Sequence, residues 1–327
     1  MMTPPVRSAS ASASDDLPLA VGPAMSASVG RECRLFTATL IAAGRLSPQT
    51  LTDAVARLTD AGCAPGTPEW LDEGDAADIA ITADPAAART ALEGAAHGVD
   101  VVVQPAAGRE KRLLVADMDS TMITVECIDE LADYAGLKPQ IAEITEAAMR
   151  GELDFAAALD ARVALLRGLD ASAIDRCRAE RVRLMPGAVA LVRTMRARGA
   201  TTILVSGGFT AFAEPVGAEI GFDRVIANRL LVAEGALTGK VATPIVDSGT
   251  KERTLREARA AIDLPEAATL AVGDGANDLA MIGIAGLGVA YRAKPIVAAA
   301  AAARIDHNDL TALLWAQGIR RRDWVTA

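Results

Sequence analysis

Histidine is nearly absent from this chain: the 327 residues hold two, His97 and His307. A Ser-His-Asp triad or a histidine-based metal centre is therefore poorly supplied, and chemistry has to come from carboxylates, Lys, Arg or hydroxyls. His97 reads as a loop residue, because no other metal-binding group lies at a suitable spacing from it. Cysteine is also sparse. Cys33, Cys63, Cys127 and Cys177 are scattered without a C-x-x-C pair, which argues against a zinc ribbon or a disulfide framework and suggests reduced thiols of a cytoplasmic protein. Positive charge is in deficit, with a net charge of −9 and a pI near 4.9, so no nucleic-acid partner is expected. No apolar span approaches the ~20 residues of a membrane-crossing helix, so no membrane partner is expected either. Aromatic residues make up 3% of the chain, which leaves the packing to Ala and Val and suits helices laid closely on a sheet.

What is present suffices for a large core: 51% of residues are hydrophobic, at a length that accommodates two domains. Residues 1–30 are a low-complexity Ser/Ala/Pro stretch without the apolar core of a secretory signal, expected to be a disordered tail. Residues 31–106 alternate as strand (Leu35–Ile41), helix (Pro48–Leu58, capped by Ser47), strand (Ile79–Thr82), helix (Pro85–Gly94) and strand (Val99–Val103), an order that predicts a small α+β, ferredoxin-like module. From residue 107 to 327 the pattern changes. Leu113–Ala116 is an apolar run typical of a buried parallel strand. Residues 126–184 then read as four helices in succession, too many for a simple crossover, and predict a helical cap. Strand–helix alternation resumes with strands at Thr201–Val205, Thr269–Val272 and Leu287–Ala290 and a hairpin from Val225–Val232 and Ala236–Val241. The fold class expected is α/β, a doubly wound parallel sheet with an inserted helical cap and a small α+β domain in front of it.

Four loops fall at the carboxyl ends of predicted strands, where open α/β sheets bind ligands. Asp117 and Asp119 follow the first strand; Ser206-Gly207-Gly208 follows the second; Lys251 sits on a later helix; Gly273 to Asp278 follows the next strand. Taken singly, each has an ordinary reading as a capped turn or a solvated lysine. Together they make an all-oxygen donor set for Mg²⁺ from Asp117 and Asp274, joined by Asn277 or Asp278. They also supply backbone N–H groups and a hydroxyl for phosphate oxygens, and a balancing cation in Lys251. An aspartate nucleophile forming an aspartyl-phosphate, with the second aspartate moving protons, is the route such a set supports.

The stretches DMDST (117–121), VSGG (205–208), Lys251 and GDGAND (273–278) resemble, in order, the motifs of haloacid dehalogenase-superfamily phosphatases. Within that superfamily, DMDSTMITVECIDELA, the cap stretch GELDFAAALDARVALLRGL and VGDGANDLAMIGIAGLGVAYRAKP resemble the phosphoserine phosphatases. The resemblance implies that Asp117 is the nucleophile and Asp119 the acid/base. It implies that Asp117, the main-chain carbonyl of Asp119 and Asp274 hold Mg²⁺, and that Ser206, Gly207, Lys251 and Asn277 hold phosphate. In the cap, Glu126 and Arg162 would grip the amino and carboxylate groups of O-phosphoserine, with Met149 and Phe155 shaping the pocket. The implied reaction is the last step of serine biosynthesis, the implied partner is a small-molecule substrate, and a homodimer is compatible. Residues 31–106 would then be an ACT-like module. Two alternatives stand beside this reading: a phosphatase or phosphotransferase for another small phosphomonoester, and a serine-sensing protein without turnover.

Overall fold

The computed structural model describes residues 35–149 and 152–326, without the side chains of residues 148 and 149. The tail expected over residues 1–30, and Cys33, lie outside the described residues. The other three cysteines are free and buried.

The first elements are β1 (Phe36–Ile41), α1 (Pro48–Asp60), β2 (Glu69–Asp72), β3 (Ala76–Ile81), α2 (Pro85–Leu92) and β4 (Asp100–Pro105). Their antiparallel sheet has the order β2-β3-β1-β4, two interleaved β-α-β units as in a ferredoxin-like module. The helices start where the caps dictate: Ser47 accepts the Thr50 N–H, Asp84 those of Ala86 and Ala87, and each helix has Pro in its first turn. Strand β2, which carries one of the three tryptophans, was not expected from the sequence. The third strand begins at Ala76 rather than Ile79, because its opening alanines carry little strand signal.

The cap consists of α3 (Cys127–Tyr134), α4 (Lys138–Met149), α5 (Phe155–Leu165) and α6 (Ser172–Arg181), inserted after β5 (Leu113–Ala116). The core continues with α7 (Ala188–Ala197), β6 (Thr201–Phe209), α8 (Thr210–Ile220) and β7 (Arg224–Asn228). Next come the hairpin β8 (Leu230–Ala233) and β9 (Ala236–Val241), α9 (Ser248–Ala261), β10 (Thr269–Gly273), α10 (Leu279–Gly283), β11 (Leu287–Tyr291), α11 (Pro295–Ala300), β12 (Ala303–Ile305) and α12 (Ala312–Ala316). Six strands pair in parallel in the order β12-β11-β10-β5-β6-β7. Counted within the core this is 3-2-1-4-5-6, so the winding reverses between β5 and β10 and opens a crevice at their carboxyl ends. The four residues of β5 are fully buried and pair on both sides, as a central strand covered by helices requires.

Two expectations are corrected. The single strand expected over Val225–Val232 is two: β7 joins the main sheet, and after Arg229 the chain turns away so that β8 pairs with β9 through a turn at Glu234 and Gly235, both with positive φ. The Ser206-Gly207-Gly208 stretch does not open a loop. Strand β6 runs through it to Phe209, and the β6–β7 register shifts between Val205 and Phe209, so the glycines occupy an irregularity in the ladder.

The described residues gather into one unit, and a polar seam joins its four-stranded and six-stranded sheets. Asp100, buried at the start of β4, accepts the N–H groups of Asp306, His307 and Asn308 and the Asn308 side-chain amide. Asn308 reaches on to the Ile41 carbonyl and the Ala43 N–H. Arg109 forks onto Asp78 at 2.5 and 3.0 Å and also donates to the Trp315 and Ala316 carbonyls. Lys111 is 4% exposed and donates to the Gly108 and Ala267 carbonyls. His97 does lie in a loop, yet the fold brings His307 beside it, ring centroids 6.0 Å apart.

Candidate active site

The crevice between β5 and β10 carries the acidic residues. The Asp117 N–H donates to the Val272 carbonyl at 3.0 Å, so Asp117 leaves β5 alongside the end of β10. Behind it the chain winds about one carbonyl: the N–H groups of Thr121, Met122 and Ile123 all approach the Met118 oxygen. This winding places Ser120 at φ 55°, a left-handed conformation in a residue with a side chain. The Ser120 hydroxyl donates to Glu126 at 2.8 Å, and Asp119 accepts the Cys127 N–H at the start of α3 at 3.3 Å. Both chain crossings into the cap run together, with Ile123 bridged to Leu184, Met185 donating to Met122 and Thr124 to Arg183.

Lys251, 1% exposed on α9, places its ammonium between two carboxylates, 2.6 Å from Asp117 and 2.7 Å from Asp278. Asp278 is fully buried and also accepts the N–H groups of Asp274 and Gly275. It thereby folds the loop after β10 and fixes Lys251 in one contact set. The sequence reading offered Asp278 only as an alternative to Asn277, and its spacing from Asp274 was the signal that could have singled it out. Asn228, buried at the end of β7, was missed altogether. It donates to the Gly207 carbonyl at 2.8 Å and exchanges hydrogen bonds with Val246, tying the Ser206–Gly208 irregularity to the segment leading into α9. Ser206 itself is buried and accepts the Gly208 N–H.

Asp117, Asp274 and Asp278 each offer an oxygen within 4.8 Å of the others. Three carboxylates against one ammonium leave two formal negative charges unbalanced, and the donors are all oxygen, which fits a hard divalent cation. The electrostatics record the imbalance. Burial, with Asp278 and Asp119 adding to it and Lys251 opposing, pushes Asp117 well above the usual carboxylate range. Burial and the charge of Glu126 lift Asp274 to about 6. Burial and Glu126 lift Asp119 to about 7.

Above this floor lies a cavity of about 540 Å³. Its core side is lined by Asp117, Asp119, Ser206, Gly207, Asp274 and Asn277, and its cap side by Glu126, Phe155 and Arg162. The structure thus brings together around the cavity the side chains singled out in the sequence, except Lys251 and Asp278, which pair beneath the floor, and Met149, whose side chain is outside the described residues. Phe155 of the cap reaches the core: a Cβ at Gly207 would stand 3.2 Å from its ring, so a side chain there would push the ring back by a few tenths of an ångström. Arg162 is half-buried, its pKa lowered by burial against the opposing charges of Asp129 and Glu126. Asp129 and Lys294 also line the cavity; neither was singled out, since each looks like an ordinary surface residue in sequence.

A family model described as haloacid dehalogenase-like hydrolase matches residues 114–283. The chain belongs to that family. It is 48% identical to a phosphoserine phosphatase of Streptomyces coelicolor over 246 residues, covering 74% of this chain and 60% of that protein. A phosphoserine phosphatase of Mycobacterium tuberculosis is 48% identical over 225 residues, covering 68% of this chain and 55% of its own length. The chain therefore spans less than two thirds of these two relatives. A solved structure of a probable phosphoserine phosphatase from Vibrio cholerae superposes with a TM-score of 0.69 at 32% identity, covering 88% of each chain. Haloacid dehalogenase-like phosphatases use a divalent metal, and the carboxylate cluster is compatible with one. Among the described residues no helix is long and apolar enough to cross a membrane.

Proposed function

We propose that this chain hydrolyses O-phospho-L-serine to L-serine and inorganic phosphate, with Mg²⁺ as the metal. One observation carries the reading: a floor fit for phosphate chemistry, Asp117 held by Lys251 beside Asp274, faces a cap wall bearing Glu126 and Arg162 across a single cavity. An ammonium matches Glu126 and a carboxylate matches the planar fork of Arg162. The named relatives point the same way.

In this reading Asp117 attacks phosphorus as the serine oxygen leaves, forming an aspartyl-phosphate. Asp119 donates the proton that the leaving oxygen takes. With its pKa lifted to about 7, the acid form is well populated near neutrality. Asp119 then removes a proton from water, which attacks phosphorus, releases phosphate and restores Asp117. Lys251 keeps Asp117 oriented, while Ser206, the Gly207 N–H and Asn277 receive the phosphate oxygens. A bound Mg²⁺, held by Asp117 and Asp274 with the Asp119 carbonyl, would offset the charge of phosphate and carboxylates. The same reading takes residues 31–106 as an ACT-like accessory module beside a catalytic domain of 107–327, in a cytoplasmic protein able to form a homodimer.

Steady-state hydrolysis of L-phosphoserine and of p-nitrophenyl phosphate, with Mg²⁺ and after chelation, tests the proposal. Phosphoserine should be preferred, activity should vanish on chelation and return with Mg²⁺, and Arg162→Ala should weaken phosphoserine use by about a hundredfold more than p-nitrophenyl phosphate use. Equal use of both esters by the wild type would overturn the substrate assignment.

A further inference from the structure

Five carboxylates line the cavity: Asp117, Asp119, Glu126, Asp129 and Asp274. A phosphate dianion entering there needs cations that are not already committed. Lys251 is committed to Asp117 and Asp278. Two cations line the space itself, Arg162 and Lys294, and Lys294 enters no ion pair among the described residues.

The root of Lys294 is fixed. Its N–H donates to the Asp274 carbonyl at 3.1 Å, and its own carbonyl accepts the N–H groups of Val297 and Ala298. Pro295 follows, and the steric demand of a proline ring holds the preceding residue extended, as its φ of −59° and ψ of 147° show. An exposed four-carbon stem therefore springs from a backbone hydrogen-bonded to that of Asp274, on the floor side of the cavity, opposite the wall that carries Arg162 and Glu126. The phosphate of a bound ester has to sit at the floor, near Asp117, and the amino-acid end at the cap. Side-chain chemistry follows the same division: a guanidinium fork suits a flat carboxylate, whereas an ammonium is a mobile point charge that can follow a phosphoryl group as it transfers.

We propose that Lys294 is a substrate-binding residue whose ammonium pairs with a non-bridging oxygen of the phosphate, in the ester and in the released product, leaving the carboxylate to Arg162. This rests on the phosphatase reading above. It predicts that Lys294 acts on every phosphomonoester, whereas Arg162 acts on those bearing a carboxylate.

The test compares Lys294→Met, which keeps the stem, and Lys294→Arg with wild type and Arg162→Ala, at saturating Mg²⁺. Rates are measured on L-phosphoserine and p-nitrophenyl phosphate, with inorganic phosphate as competitive inhibitor. Lys294→Met should raise KM for both esters and the phosphate inhibition constant by about tenfold, the scale of one charge-assisted contact. Lys294→Arg should restore most of that loss, and the main-chain bond to Asp274 and the melting temperature should be retained in both variants. An unchanged phosphate inhibition constant in Lys294→Met, a defect confined to phosphoserine, or a defect that Arg does not rescue would each overturn the assignment. If the wild type ignores phosphoserine, the substrate reading fails, yet p-nitrophenyl phosphate and inorganic phosphate still decide Lys294. If no ester is turned over, calorimetric titration with inorganic phosphate in Mg²⁺ decides it.

Discussion

Two buried aspartates, Asp100 and Asp117, are 4% exposed each and are treated by the fold in opposite ways. Asp100 receives three backbone N–H groups and a side-chain amide, all neutral donors, all from the segment 306–308. Its lone pairs are filled and its charge is solvated by the protein itself. Asp117 has one side-chain partner, Lys251, which it shares with Asp278, and further like charges stand nearby. Its remaining acceptor capacity opens onto the cavity. The first arrangement locks a seam; the second keeps a group unsatisfied until something arrives to satisfy it. A buried carboxylate is thus informative through the donors it lacks as much as through its depth.

That contrast can be broken by substitution. Asp117→Asn should lower kcat on the order of a thousandfold or more while leaving the melting temperature of the metal-free protein equal or higher, because it removes a poorly compensated charge. Substantial residual turnover would remove Asp117 from its role. Asp100→Ala should do the reverse: four donors lose their acceptor, and unfolding by denaturant should show a loss of about 3–5 kcal/mol, with kcat of the protein that remains folded near that of the wild type. A loss below about 1 kcal/mol would mean that water replaces the carboxylate and that the seam is weaker than drawn.

The smallest effect concerns Lys111 in the same seam. Burial, with Arg109 adding to it, lowers its pKa from 10.5 to about 8. Between those values the unfolded chain binds more protons than the folded one, so stability should rise with pH from about 8 to 10.5. Lys111→Met should flatten that part of the stability profile; an unaltered slope would assign it to other groups.

How much of this could be read in the sequence depends on distance along the chain. Asp117 and Asp119 stand out because a strand and a turn are local, and Gly273–Asp278 because glycines mark the close approach. The helical insertion was legible from repeated helical pattern without an intervening strand. Asn228 acts on Gly207 across the β6–β7 pairing, so its neighbours in sequence carry no trace of it. Asp100 and Asn308 lie 208 positions apart, and nothing in either flank announces the meeting. Strand β12 was hidden for another reason: it follows an alanine run whose helical tendency continues almost to its first residue. The Val225–Val232 error came from an unbroken apolar pattern in which the change of sheet at Arg229 leaves no mark.

Strand β12 is three residues long and pairs on one side only, with β11; on its other side it lies beside β4, which likewise pairs on one side only, with β1. Each would otherwise offer a row of free main-chain groups to a passing chain, the usual starting point of edge-to-edge aggregation. Brought together and pinned by Asp100, the two cover one another. The residues ahead of Leu113 therefore serve the core as a guard against self-association, whatever else they bind, and a chain cut free of them would be expected to precipitate before it lost its catalytic groups.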